Sequence, residues 1–176
     1  MTTLPDAYAW LAGEPGPKML REALKLYGTL EASGDEDNPT ILAWAAELGL
    51  SAIYSHDVVP WCGLYLAVVA HRAGKPIPDL PLRALSWADF GVHSPAPALG
   101  DVLVFRRQAG GHVALYVGQD SEAYHCLGGN QSDSVCIRRI DRDRIYAVRR
   151  PDYKMTPPNV RPICLDVAGE LSRNES

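Results

Sequence analysis

Cys62 and His112 are the pair of residues in this chain whose types and placement suit covalent chemistry. Cys62 follows Pro60-Trp61 and opens an apolar stretch, and His112 follows Gly111 about fifty residues downstream and opens another. A thiolate is a strong nucleophile, and an imidazole can take its proton and later protonate a departing amine. Each residue has an ordinary reading in isolation: a lone Cys is commonly a small buried hydrophobe, and a lone His after a Gly-rich turn a solvated hairpin residue. Taken together they point to a Cys-His nucleophile assembled by folding. A third group should hold the imidazole in one tautomer. The stretch Leu127-Gly128-Gly129-Asn130-Gln131-Ser132-Asp133 supplies Asn130 for this role, with Gln131 and Asp133 as substitutes. Trp61, Gly111, Gly129, Gln131 and Asp133 are the candidates to line the substrate cleft.

The elements that position these residues follow from periodicity. Pro60 suits a first helical turn, Leu64, Tyr65, Val68 and Val69 recur at helical spacing, and Gly74 stops the run, which predicts a helix over 60–73 with the thiol at its positive end. Unpaired N–H groups there, joined by a cationic His, lower a Cys pKa from about 8.5 toward ~3.5. The turn Gln108-Ala109-Gly110-Gly111 leads into a strand at 112–118, so His112 opens that strand and can face a cleft. Further helices are expected at 5–12, 17–28, 39–49 and 82–89, and strands at 101–106, 122–127, 134–140 and 144–149. Asn38 is the expected cap of the helix at 39–49, with Pro39 at its first position and Gly49 at its end. The fold class is α+β: N-terminal helices packed on a five-stranded antiparallel sheet. One catalytic domain over 1–150, helical to about residue 90 and stranded over 101–150, is followed by a Pro-rich extended tail at 151–176.

The residues also resemble a known group. The order of Asn38-Pro39-Thr40-Ile41-Leu42 with Trp44, Asp57 before Pro60-Trp61-Cys62, Leu99-Gly100-Asp101-Val102-Leu103-Val104-Phe105, Gly111-His112-Val113-Ala114-Leu115-Tyr116, Leu127-Gly128-Gly129-Asn130-Gln131 and Arg149-Arg150-Pro151 is similar to that of the CHAP-type and NlpC-type papain-like cysteine peptidases and amidases, in a phage-associated branch. The resemblance covers most of the chain. It implies a papain-like fold and a bacteriolytic, endolysin-like hydrolase of peptidoglycan amide bonds, with Cys62 as nucleophile and His112 as base. It also implies a muramoyl–alanine amidase or an endopeptidase of the stem peptide. In many relatives the third residue is Glu or a second His, where this chain offers Asn130. Two other readings use the same residues: acyl transfer, in which an amine intercepts the thioester, and an inactive structural module of a phage tail or secretion system.

Composition fits this picture. A chain of 176 residues, 47% hydrophobic and 22% charged, can bury one core, and a net charge of −4 argues against nucleic acid as a general partner. The arginines between 138 and 150 are interleaved with Asp141 and Asp143, as on a solvated hairpin edge, with anionic wall polymer the alternative reading. Asp6, Gly13 and Pro15 interrupt the only early apolar stretch, so neither signal peptide nor membrane insertion is expected. The expectation is synthesis in the cytoplasm, action at the cell wall or periplasm, and delivery by a holin, a phage tail or a secretion system, with an immunity protein as a further partner and a monomeric state. Four cysteines in such a chain fit reduced thiols, with Cys126 and Cys136 the one pair able to face each other across a hairpin. Metal and cofactor are not expected: His125-Cys126 lies near His112, but no Cys-x-x-Cys or His-Glu-x-x-His spacing is present. His56 and Asp57 precede the nucleophile closely enough to line the cleft, and His93 can reach it from a loop. Trp44 reads as core, whereas Trp61 is open between cleft wall and core.

Overall fold

In the computed structural model, which describes residues 3–34, 36–166 and 169–172, helices fill the first half and strands the second. The α-helices are α1 (Lys18–Leu24), α2 (Pro39–Glu47) and α3 (Cys62–Arg72). Single 3-10 segments occupy Asp6–Gly13, Ala84–Asp89 and Arg142–Arg144. The strands are β1 (Val92–His93), β2 (Val102–Arg107), β3 (Gly110–Gln119), β4 (Ala123–Gly128), β5 (Cys136–Asp141), β6 (Ile145–Arg150) and β7 (Leu171–Ser172). The expected α+β order is therefore present. Asn38 caps α2, its side-chain oxygen accepting from the Thr40 N–H at 2.7 Å, with Pro39 in the first position.

The sheet differs from the expected five antiparallel strands. Among the described residues its order is β1-β6-β2-β3-β4-β5-β7, seven strands, and the β5–β7 pair is parallel. The two additions, β1 and β7, are edge pairings of two residues each, too short to leave any periodicity in the sequence. The helices at 5–12 and 82–89 are 3-10 rather than α, and α1 ends at Leu24 instead of continuing to residue 28.

Alternation along the central strands makes two apolar layers. Val102, Val104, Val113, Leu115 and Val117 pack into the cluster that contains α3, while Leu103, Phe105, Ala114 and Tyr116 join Tyr124, Cys126 and Ile140 in a second cluster. Every residue of α3 from Cys62 to Ala70 is buried, so this helix is the central post of the helical layer. The Gly100-Asp101 motif is structural. The fully buried Asp101 carboxylate takes a two-pronged contact from Arg150, Nε at 2.9 Å and Nη2 at 2.8 Å, and accepts from the Ala98 N–H at 2.9 Å.

The stretch after Pro151 is hydrogen-bonded into this body. The Leu99 N–H donates to Arg161, the Gln119 N–H to Ile163 and the Leu165 N–H to Gln119, each at 2.9 Å, so 161–165 runs beside the end of β3 where β2 has not begun. Glu14 accepts from the side chains of Asn159 and Arg161, joining the two ends of the described chain. Among the described residues, no helix is long and apolar enough to cross a membrane.

Candidate active site

Cys62 is the first residue of α3; Pro60 lies two residues before the helix, not within its first turn. The N–H groups of Cys62 and Gly63 have no partner one turn earlier in the helix, and both favour the Cys62 thiolate electrostatically. The Val113 N–H, on the strand residue directly after His112, acts in the same sense. Gly63 has to be glycine: a Cβ there would lie 2.4 Å from the Pro81 carbonyl oxygen and 2.7 Å from that of Leu82, which cross over the helix start. Gly129 is confined in the same way by Tyr65 and Trp61, whose atoms would come within 2.6 and 2.8 Å of a Cβ.

His112 pairs with Phe105 across the β2–β3 ladder, its ring stacked near that of Phe105 with centroids 6.5 Å apart, and is 1% exposed. Its Nε2 is 3.0 Å from Oε1 of Gln131. The Gln131 amide cannot be turned over, because its Nε2 donates to the carbonyls of Cys126 at 3.1 Å and Cys136 at 2.6 Å, and carbonyls only accept. Oε1 therefore faces the imidazole, Nε2 of His112 carries the hydrogen, and Nδ1 is the basic nitrogen. Gln131, one residue beyond the Asn130 expected from sequence, is the group that fixes this tautomer. The Asn130 side chain instead donates to Glu31 Oε2 at 3.3 Å. The reason is local backbone geometry: Asn130, Ser132 and Asp133 all adopt positive φ, 54°, 53° and 56°, and this winding turns Gln131 inward and Asn130 toward the 28–31 segment.

The other cleft candidates separate by burial. Trp61 is fully buried, packed 6.0 Å from Trp44 with its indole N–H donating to Glu31 Oε2 at 2.8 Å, which makes it core. Gly129 and Gln131 are buried too, whereas Gly111 is half-buried against Leu85 and Asp133 is exposed, its carbonyl accepting from the Glu31 N–H. Asp57, which precedes the nucleophile, is a loop organiser: its Oδ2 accepts from the N–H groups of Ala32 and Asn38 at 2.9 and 2.8 Å. His56 pairs with Asp37, and His93 is an exposed residue of the edge strand β1.

The electrostatics reverse one expectation. Burial pushes the Cys62 thiol up, not down; the N–H groups of Val113, Gly63 and Cys62 and the Arg107 cation oppose this but do not overcome it. With the residue 5% exposed, desolvation of a thiolate outweighs the helix start. Arg107, at the end of β2, and Glu31 were not singled out from sequence. Neither belongs to a motif around Cys62 or His112, and only the folded chain brings them there. Burial also pushes the Glu31 carboxyl up, assisted by Asp133 and Asp57 and opposed by the Trp61 N–H.

Cysteine and histidine residues elsewhere have other partners. Cys126 and Cys136 are not disulfide-bonded, and the register sets Cys126 opposite Arg138 and Cys136 opposite Gly128, two positions out of step. His125 is fully buried between Tyr8, whose hydroxyl is 2.6 Å from Nδ1, and Asp120, 2.7 Å from Nε2. The arginine cluster is largely tied into the fold: Arg139 binds Asp120, Arg149 the carbonyls of Phe90 and Gly91, and Arg150 Asp101. Among the described residues, no group of three or more His, Cys, Asp or Glu is placed to hold a metal ion. No model of a known protein family matches the chain, and no curated protein matches it.

Proposed function

We propose that this chain is a cysteine hydrolase that cleaves an amide bond of the peptidoglycan stem peptide through a thioester on Cys62. The observation that carries the proposal is the Gln131 amide, which leaves Nδ1 of His112 as the basic nitrogen, one residue before Val113, whose N–H favours the Cys62 thiolate. The substrate class rests on the motif order, which resembles that of the CHAP-type and NlpC-type enzymes.

In this mechanism the thiol rests neutral, because burial disfavours its anion. As substrate enters, His112 Nδ1 takes the thiol proton while sulfur bonds to the amide carbon. The oxyanion meets the Cys62 and Gly63 N–H groups at the helix start, where one well-aimed donor is worth about 3 kcal/mol of barrier. The imidazolium then gives its proton to the nitrogen, the C–N bond breaks, and the amine leaves. His112 next deprotonates a water that adds to the thioester, and loss of the sulfur yields a carboxylate and regenerates the thiol. Gln131 stays bonded to Nε2 throughout, so the ring does not have to turn between the two steps.

Acyl transfer to an amine is the second reading, favoured by the burial of Cys62, since a site closed to water prolongs a thioester. Incubation of sacculi of known chemotype with the protein and with its Cys62→Ala and His112→Ala variants separates the outcomes by mass spectrometry of the soluble products. Cys62-dependent release of fragments with a new carboxylate supports hydrolysis. Amine-capped products supplied by an added amine support transfer, and intact sacculi across chemotypes count against both.

A further inference from the structure

We infer that Glu31 is a positioning residue that joins the nucleophile's helix to the turn carrying Gln131, with Asn130 as its second anchor. The inference builds on the Cys62-His112 reading and adds a coupling between the elements that hold those two residues.

The backbone of Glu31 is fixed before its side chain is considered. Residues 28–31 run beside 133–135, with Gly28 N–H donating to Val135 at 2.9 Å, Val135 N–H to Thr29 at 2.8 Å and Glu31 N–H to Asp133 at 2.8 Å. From this ladder the half-buried carboxylate reaches in two directions with one atom. Oε2 accepts from Trp61 Nε1 at 2.8 Å and from Asn130 Nδ2 at 3.3 Å. Trp61 immediately precedes Cys62, and Asn130 immediately precedes Gln131. A single oxygen thus spans the residue before the nucleophile and the residue before the group that orients the imidazole.

Both donors need this acceptor. Trp61 is fully buried, and a buried indole N–H without a partner is costly. Asn130 is buried at φ 54°, a conformation that Asn and Asp tolerate best, so its amide is held by the turn and aimed at Glu31. The carboxylates facing Glu31 are Asp133 and Asp57. Loss of the carboxylate would let helix start and turn shift independently, and a shift of about 1 Å at such a site can cost ~100-fold in rate.

The test is a donor–acceptor reversal. Asn130→Asp sets two carboxylates against each other without changing the backbone preference. Glu31→Gln combined with Asn130→Asp restores the bond in the opposite sense: the introduced amide oxygen accepts from Trp61, and its nitrogen donates to the new carboxylate. The readouts are the pH profile of Cys62 alkylation by iodoacetamide, followed on the Cys62 peptide, and kcat and KM on sacculi fragments. Asn130→Asp is expected to move the alkylation midpoint and lower kcat about tenfold with KM little changed, and the double variant to return within about threefold of the parent. If Asn130→Asp does not fold, the coupling requires the double variant to regain folding. Additive losses, a double variant that stays unfolded, or single variants with an unchanged alkylation profile would overturn the inference. Alkylation needs no substrate, so rescue in a protein that leaves sacculi intact keeps the clamp and removes the assigned substrate.

Discussion

At the residue scale, the proposed chemistry rests on the three hydrogen bonds of one amide. Gln131 donates to two carbonyls and accepts from His112, and an apolar Gln131→Leu replacement removes all three bonds at once. We predict a drop in kcat of about ten- to a hundredfold, because His112 then samples both tautomers, together with a loss of about 1–3 kcal/mol for the buried carbonyls left unpaired. Steady-state kinetics beside thermal unfolding checks both parts. The thiol makes a pH prediction. Burial raises the folded Cys62 pKa above its unfolded value near 8.5, so alkylation should rise only above that ordinary midpoint. The neutral thiol's contribution to stability should be full below the unfolded pKa and disappear as pH climbs through the folded one. An alkylation midpoint well below 8 would contradict this. The sequence made Cys62 and His112 legible because each stands at the start of a strongly periodic stretch; Cys62 is the first residue of α3, whereas His112 is the third of β3, which begins at Gly110 rather than at the expected residue 112. It left Asn130 and Gln131 unresolved because three positive-φ residues decide which of two adjacent amides turns inward, and residue types do not reveal that winding.

At the element scale, the N-terminus of α3 is confined from outside. The carbonyls of Pro81 and Leu82 lie where a Gly63 Cβ would be, and backbone atoms cannot swing aside as a side chain can. Gly63→Ala should therefore cost about 1–3 kcal/mol, read as a lowered Tm, and should lower kcat as well because the Gly63 N–H is displaced from the sulfur. Retention of both would contradict the confinement. The strongly periodic elements α2, α3 and β2 to β6 were readable from apolar spacing, capping and turn residues. The two-residue strands β1 and β7 were not, since their pairing is tertiary, and neither was the 3-10 winding of Asp6–Gly13 and Ala84–Asp89, which turns on packing rather than propensity.

At the scale of the whole molecule, the segments around Tyr8 and 161–165 are part of the body that carries the candidate site. Tyr8 bonds His125, Asp120 and Arg139 complete that cluster, and 161–165 pairs with the end of β3. A chain ending at Pro151 should unfold several degrees lower, since about 1 kcal/mol corresponds to ~2–4 °C at this size. An unchanged Tm would mean that the tail adds nothing to the fold. Arg139 beside Asp120 holds its carboxyl well below the usual carboxylate range. The associated stability is present above the unfolded Asp pKa of about 3.9 and is lost as pH falls toward the folded value, so Asp120→Asn should flatten the acid limb of a Tm–pH profile.

The most direct measurement of the central claim is the intact mass of the protein after acid quench from a short incubation with soluble peptidoglycan fragments. The account predicts a covalent adduct on the Cys62 peptide, absent from Cys62→Ala, that decays as free carboxylate product accumulates. Product formation without any Cys62 adduct, or with Cys62→Ala as active as the parent, would contradict it.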